Sequence, residues 1–385
     1  MPVNRAITSL DAVTHWFTES FTSEYAAQAE QLGRINLAVF GKTGVGKSTL
    51  VNAIFGERVA PTGIGAPVTM GSHLYLDQRG TLGVIDTRGL EIGRDDAELI
   101  KELTAAVKSS RSKPIDEQIH VAWYCVRGMD RRFEDVEERF IRTLADLEIP
   151  VIVVLTQVPM RDGQFHPDAV ELARQIEARK LPIYGGRPFM TYAMRDQFSG
   201  QPAYGLIEVL RATFHLAPEA VHAALAAAQE IDLELKANQS KKAVAAAVTA
   251  AAAAAAVPIP FSSAAVLVPI QLSMMARIAH LHGIGLERSA LLAVASTSVA
   301  TSAGRAAASS LLKFIPGAGS VAGGVINASV ASGFTIAMGQ AWLAVCQKSF
   351  TKSLPMLDGK IDTAAVRKLF EAELARRLPK VRTSA

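Results

Sequence analysis

Residues 35–55 read INLAVFGKTGVGKSTLVNAIF, and this stretch restricts the chain more than any other. Its first six residues are a short apolar run of the kind that forms a buried parallel strand. Gly41-Lys42-Thr43-Gly44-Val45-Gly46-Lys47-Ser48 follows, a full match to GxxxxGK[ST], with Thr49 next. Leu50, Val51, Ile54 and Phe55 then recur at helical spacing. Strand, glycine-rich loop and helix in that order make a phosphate-binding loop. Gly41, Gly44 and Gly46 allow backbone shapes in which successive N–H groups converge on phosphate oxygens, and the positive end of the helix adds to that field. Lys47 is placed to reach β- and γ-phosphates, and the Ser48 hydroxyl to ligate Mg²⁺. A chance glycine-rich turn is the alternative, and it accounts for neither flank.

Beyond the loop, apolar runs at 73–77, 82–86, 120–126, 151–156 and 188–192 predict strands. Stretches 95–109, 132–147, 167–180 and 206–215 predict helices between them. Such alternation implies a mostly parallel sheet with helices on both faces. One of these strands runs into Gly83-Val84-Ile85-Asp86-Thr87-Arg88-Gly89-Leu90. Asp86, a carboxylate at a strand end, can hold the Mg²⁺ shell, and Gly89 lets a backbone N–H approach a γ-phosphate. DxxG is a common turn by itself; its place after a phosphate loop makes it specific.

With both motifs in hand, residues 36–215 resemble a translation-factor-class, Era-like GTPase, related to the immunity-related and chloroplast-import GTPases that share a GKTGVGKST-style loop. The resemblance implies GTP or GDP as ligand, Mg²⁺ as cofactor, and slow hydrolysis of GTP. It implies that Lys47 and a switch threonine serve the reaction, with Thr69 in GIGAPVTMGSHLYL preferred over Thr62 to complete the Mg²⁺ shell beside Ser48 and Asp86. At the strand end where the family reads guanine with [NT]KxD, this chain has Thr156-Gln157-Val158-Pro159. Thr156 fits, Gln157 replaces lysine, and no carboxylate stands at Pro159; Asp162 is a nearby substitute. Ala193, in Met190-Thr191-Tyr192-Ala193, is the candidate for a last base-contacting backbone N–H. Leu90 follows DxxG where Ras-like enzymes carry a water-orienting glutamine, so hydrolysis is expected to rely on another group, a dimer or an activating partner. Arg88, Arg131 and Arg132 are the candidate arginine fingers, against the commoner reading as solvated surface charge.

After Asn238 the composition changes. Chargeless runs cover 243–276, broken by Pro258 and Pro260, then 289–304 and 314–347, with basic residues on their flanks. The limbs beside Pro258 are about 14 residues, roughly 21 Å as helix, short of the ~30 Å hydrocarbon core. Shallow hairpins on a membrane lipid surface and a buried helical bundle both fit the pattern. AVPIPFSSAAVLVPIQLSMMARIAHLHGIGL and LLKFIPGAGSVAGGVINASVASG resemble the YcjF-type domain of unknown function that follows many bacterial GTPase domains. His280 and His282 lie two apart, on different helix faces, which argues against a metal site. The expected class is therefore α/β: a P-loop GTPase domain with a mostly parallel sheet, then an all-α, Ala/Gly-rich helical domain. The divisions fall at 1–33 (an amphipathic helix), 34–216 (the GTPase domain) and 217–385 (the helical domain).

Asp362 is a plausible N-cap for a closing amphipathic helix over 362–378. Net charge is +4, too weak to argue for nucleic acid, and no basic RNA module stands out. Cys125 and Cys346 lie far apart and form no ligand cluster, and residues 1–8 lack a signal-peptide apolar core. A cytoplasmic location is expected, with association to the inner membrane face left open.

Overall fold

A computed structural model describes residues 10–56, 66–69, 72–87, 96–197, 200–256, 263–297 and 328–378. The chain divides into two compact units: Leu32–Asp232, and Met1–Gln31 together with Leu233–Ala385.

In the first unit, β1 (Ile35–Phe40) lies between two parallel neighbours, β4 (Leu82–Thr87) and β5 (Val121–Arg127). Parallel pairing continues through β6 (Val151–Thr156) to the short β9 (Phe189–Met190). On the other side β3 (Ser72–Leu76) and β2 (Ala66–Thr69) add antiparallel edges, giving the order β2-β3-β4-β1-β5-β6-β9. Every residue of β1 and β6 is buried, as strands covered on both faces require. Alternation divides β1 between the faces. Ala38 and Phe40 join a core with α4 (Asp135–Asp146) and α5 (Pro167–Ala178). Ile35, Leu37 and Val39 join a second core with α2 (Lys47–Phe55), α6 (Leu206–Leu216) and α7 (His222–Ala228). Residues 217–232 fall in the sheet unit, with Val221, Leu225 and Ala228 on the face that also holds Leu50 and Ile54.

The chain leaves β1 toward β4 on one side and β5 on the other. That makes the carboxyl end of β1 the reversal point at which open α/β sheets bind ligands. Two hairpins escaped the periodicity. Thr69, expected in a loop, ends β2 opposite Ser72. A second hairpin pairs β7 (Met160–Arg161) with β8 (Gln164–Phe165).

The other unit is helical. Its core draws on α1 (Leu10–Leu32), α8 (Leu233–Ala256), α9 (Ser263–Leu281), α10 (Leu286–Thr297), α11 (Ala328–Phe350) and α12 (Thr363–Arg377). Trp342 on α11 is fully buried and donates its indole N–H to the Met275 carbonyl at 2.8 Å. Asp362 caps α12, accepting the Ala365 N–H at 3.0 Å. The expected break at Pro258 and Pro260 lies outside the described residues, whereas Pro269 sits inside α9. Among the described residues, no helix is long and apolar enough to cross a membrane. His280 Nε2 contacts the Tyr25 carbonyl at 2.7 Å while His282 Nδ1 contacts that of Ile278 at 3.0 Å, so the two rings face different partners.

Candidate nucleotide-binding site

The loop after Phe40 is shaped by its contact with β5. Gly41 has φ 130°, and a Cβ there would lie 2.1 Å from the Cys125 carbonyl oxygen. Only glycine allows the strand backbone so close. Gly46, with φ 96°, is the N-cap of α2, so the loop delivers its N–H groups to a helix N-terminus. Lys47 opens that helix, and its Nζ donates to the carbonyl oxygens of Gly41 at 2.8 Å and Lys42 at 3.0 Å. Ser48 is exposed on the same first turn, Thr43 and Gly44 are exposed on the loop, and Thr49 is half-buried.

β6 reaches the loop from the side. The Thr156 hydroxyl donates to the carbonyl of Val45, a buried loop residue. Gln157 takes a left-handed φ of 53°, and its Nε2 donates to the Gly44 carbonyl at 3.3 Å. The following residues turn away: Val158 is buried, with its N–H donated to the Thr191 carbonyl at 3.0 Å. Ala193, half-buried, packs on the core that includes α2.

Asp86 is the penultimate residue of β4, in register with Val39 of β1, two residues before Gly41. Thr69 and Asp86 thus lie on strands of the sheet that carries the loop. Among the described residues, no group of three or more histidine, cysteine and carboxylate side chains is placed to hold a metal ion. Arg88, Gly89 and Leu90 lie outside the described residues, as does Thr62. Arg131 is highly exposed and 3.7 Å from Asp168, and Arg132 is exposed. Asp162 stands at the tip of the β7–β8 hairpin, 3.7 Å from Arg161 with both side chains exposed. That tip, with φ of 53° at Asp162 and 75° at Gly163, has the positive-φ pair of a type I′ turn.

Sequence reasoning passed over Glu134 and Glu137. Lys42 Nζ donates to Glu134 Oε1 at 2.7 Å, and Glu134 and Glu137 form the capping box that starts α4. Burial works against the Lys42 ammonium, but the Glu134 bond and the Glu137, Glu134 and Asp130 charges outweigh it and raise its pKa. Burial in turn raises that of Glu137. Glu134 is not one of the residues that announce a cap in sequence, and its link to Lys42, 92 residues away, is equally unreadable there.

Comparison with known proteins agrees with this geometry. The family model described as "50S ribosome-binding GTPase" matches residues 36–157. GTPase Era of Actinobacillus pleuropneumoniae serotype 5b (strain L20) is 29% identical over 158 residues, 39% of this chain and 49% of the relative. The same protein from serotype 7 (strain AP76) gives the same figures. The chain thus spans about half the length of these curated relatives. A crystal structure of Aquifex aeolicus Era bound to GDP and AlF4⁻ is 18% identical, with 49% of this chain and 58% of that one covered at a TM-score of 0.31. A dimerization-deficient Toc33 from Arabidopsis thaliana is 18% identical, with 54% and 95% covered at a TM-score of 0.33. Strand order, phosphate loop and family match agree on one conclusion: the chain carries a P-loop GTPase domain.

Proposed function

We propose that the chain binds guanine nucleotide and hydrolyses GTP with Mg²⁺, acting as a switch for its helical region. The observation that carries this reading is Lys47, whose ammonium is held inside the glycine loop by the carbonyls of Gly41 and Lys42 at the head of α2. In the reading, the backbone from Gly41 to Thr49 cradles the phosphates and Lys47 neutralises charge on them. Ser48, Asp86 and Thr69 would hold Mg²⁺, which supplies further charge neutralisation when bound. Gly89 would contact the γ-phosphate, and Thr156, Gln157 and Ala193 would line the base.

The helical region, which resembles a YcjF-type domain, is the natural responder. Its basic flanks at Lys241, Lys242, Arg277 and Arg288 suit an anionic lipid surface or an acidic partner. A cytoplasmic setting accords with Cys125 and Cys346, both buried and neither in a disulfide. A second reading, a structural nucleotide-binding module with little turnover, is favoured by Leu90 after DxxG. Phosphate release at saturating GTP, with and without anionic liposomes, separates the two. Release that rises with lipid supports the switch; none in either condition leaves the structural module.

A further inference from the structure

We infer that Glu134 is a positioning residue for the phosphate loop, which it fixes to the head of α4 through Lys42. The inference rests on the nucleotide-binding reading above and adds to its site a residue from outside both sequence motifs.

Different neighbours hold the loop along its length. Gly41 lies against the Cys125 carbonyl of β5, and the carbonyls of Gly44 and Val45 accept from Gln157 and Thr156 at the end of β6. Between these points Lys42 reaches out to α4, where its Nζ donates to Glu134 Oε1 at 2.7 Å. The two side chains are 27% and 52% exposed, so this is a partly screened ion pair whose effect is modest and measurable.

The carboxylate is built to stay where it is. Glu134 is the N-cap of α4, and its side chain also accepts the Glu137 N–H of the first turn. Glu137, itself buried, returns the bond by accepting the Glu134 N–H at 2.8 Å. The helix dipole favours a carboxylate at this end. Arg179, at the end of α5, fastens the same turn: it donates to the Phe133 carbonyl at 2.8 Å, to Asp135 at 2.8 Å and to Glu138 at 2.7 Å.

The choice of residue at the cap carries the argument further. A cap needs only a short acceptor, and serine, asparagine or aspartate supply it better than glutamate. What glutamate adds is reach, and here the reach ends on Lys42. A preorganised carboxylate on a fixed helix end is the kind of support that holds a binding loop to its working shape.

A double-mutant cycle on the full chain, read as affinity for fluorescently labelled GDP, tests this. It uses the wild type, Glu134→Gln, Lys42→Met and the double variant. Glu134→Gln keeps an oxygen for the cap but loses the ion pair. Loss of a negative charge near phosphate, and any change at the cap, act alike with and without Lys42, so they cancel in the cycle. The change in affinity caused by Glu134→Gln should be about two- to fivefold less favourable with Lys42 present than with Met there. A pair that only stabilises the fold would shift the melting temperature and leave this ratio at one. If Glu134→Gln folds poorly, Glu134→Asp takes its place with the same expectation, since it keeps cap and charge but is one methylene shorter. The same change in both backgrounds, or the opposite sign, overturns the positioning role and leaves the site reading intact. A wild-type chain that binds no GDP overturns both.

Discussion

The side-chain amide of Gln157 donates to the carbonyl oxygen of Gly44 at 3.3 Å, so the residue after β6 rests on the phosphate loop. Beside it the Thr156 hydroxyl holds the Val45 carbonyl. In the proposed reading, the base end of the site and its phosphate end would therefore be one hydrogen-bonded piece. Gln157→Ala removes one neutral hydrogen bond, worth about 0.5–1.5 kcal/mol, and should weaken GTP binding by roughly two- to tenfold. Calorimetric titration checks it, and the same titration with ATP reads base selection. With Pro159 where a carboxylate would pair the guanine N–H groups, preference for GTP should fall well short of the roughly 10⁴-fold that such pairing confers.

Gly41 and Gly44 separate space from backbone. A Cβ at Gly41 meets the Cys125 carbonyl oxygen at 2.1 Å, whereas at Gly44, with φ 80°, it meets nothing within 4 Å. Gly41→Ala should abolish nucleotide binding and lower the melting temperature by several degrees. Gly44→Ala should cost only the left-handed strain, about 1–2 kcal/mol. Thermal melts of both variants decide it.

How far the site was legible depends on what the residues do. The phosphate loop writes its backbone into its sequence, because Gly41 and Gly46 are demanded by φ values that other residues avoid. β1 and β6 are legible because burial on both faces leaves an unbroken apolar run. β2 is not: four residues are too short to alternate, and Pro67 among them counts against a strand. The β7–β8 hairpin carries an Asp162-Gly163 turn signal, yet strands of two residues give no period to accompany it. Contacts such as Lys42–Glu134 and Glu230–Ile54 join residues far apart in the chain, and only the fold brings them together.

His282 gives the helical unit a pH dependence. Burial, with Lys236 as a lesser cause and against the Ile278 hydrogen bond, lowers its pKa to about 4 from 6.5. The unfolded chain takes up this proton first as pH falls, so stability is full above pH 6.5 and declines toward pH 4. The loss should reach about 3 kcal/mol. Denaturant melts across that range check it, and His282→Gln should flatten the profile between those limits.

Intrinsic turnover should be slow. Leu90 follows DTRG and cannot orient a water. Phosphate release by dilute, lipid-free protein should fall far below the ~10 per second of a typical enzyme. Fast release from that sample would mean that another group orients the water.

The central claim is that Lys47 sits in a nucleotide site and not in a structural loop. Its ammonium bonds only loop carbonyls among the contacts described, at 2.8 and 3.0 Å, and it belongs to none of the apolar cores described above. Titration of the wild-type chain and Lys47→Ala with fluorescently labelled GTP, alongside circular dichroism of both, tests this most directly. The account predicts saturable binding by the wild type, loss of at least about a hundredfold in the variant, and unchanged helical signal. Equal affinity in the two proteins would contradict it.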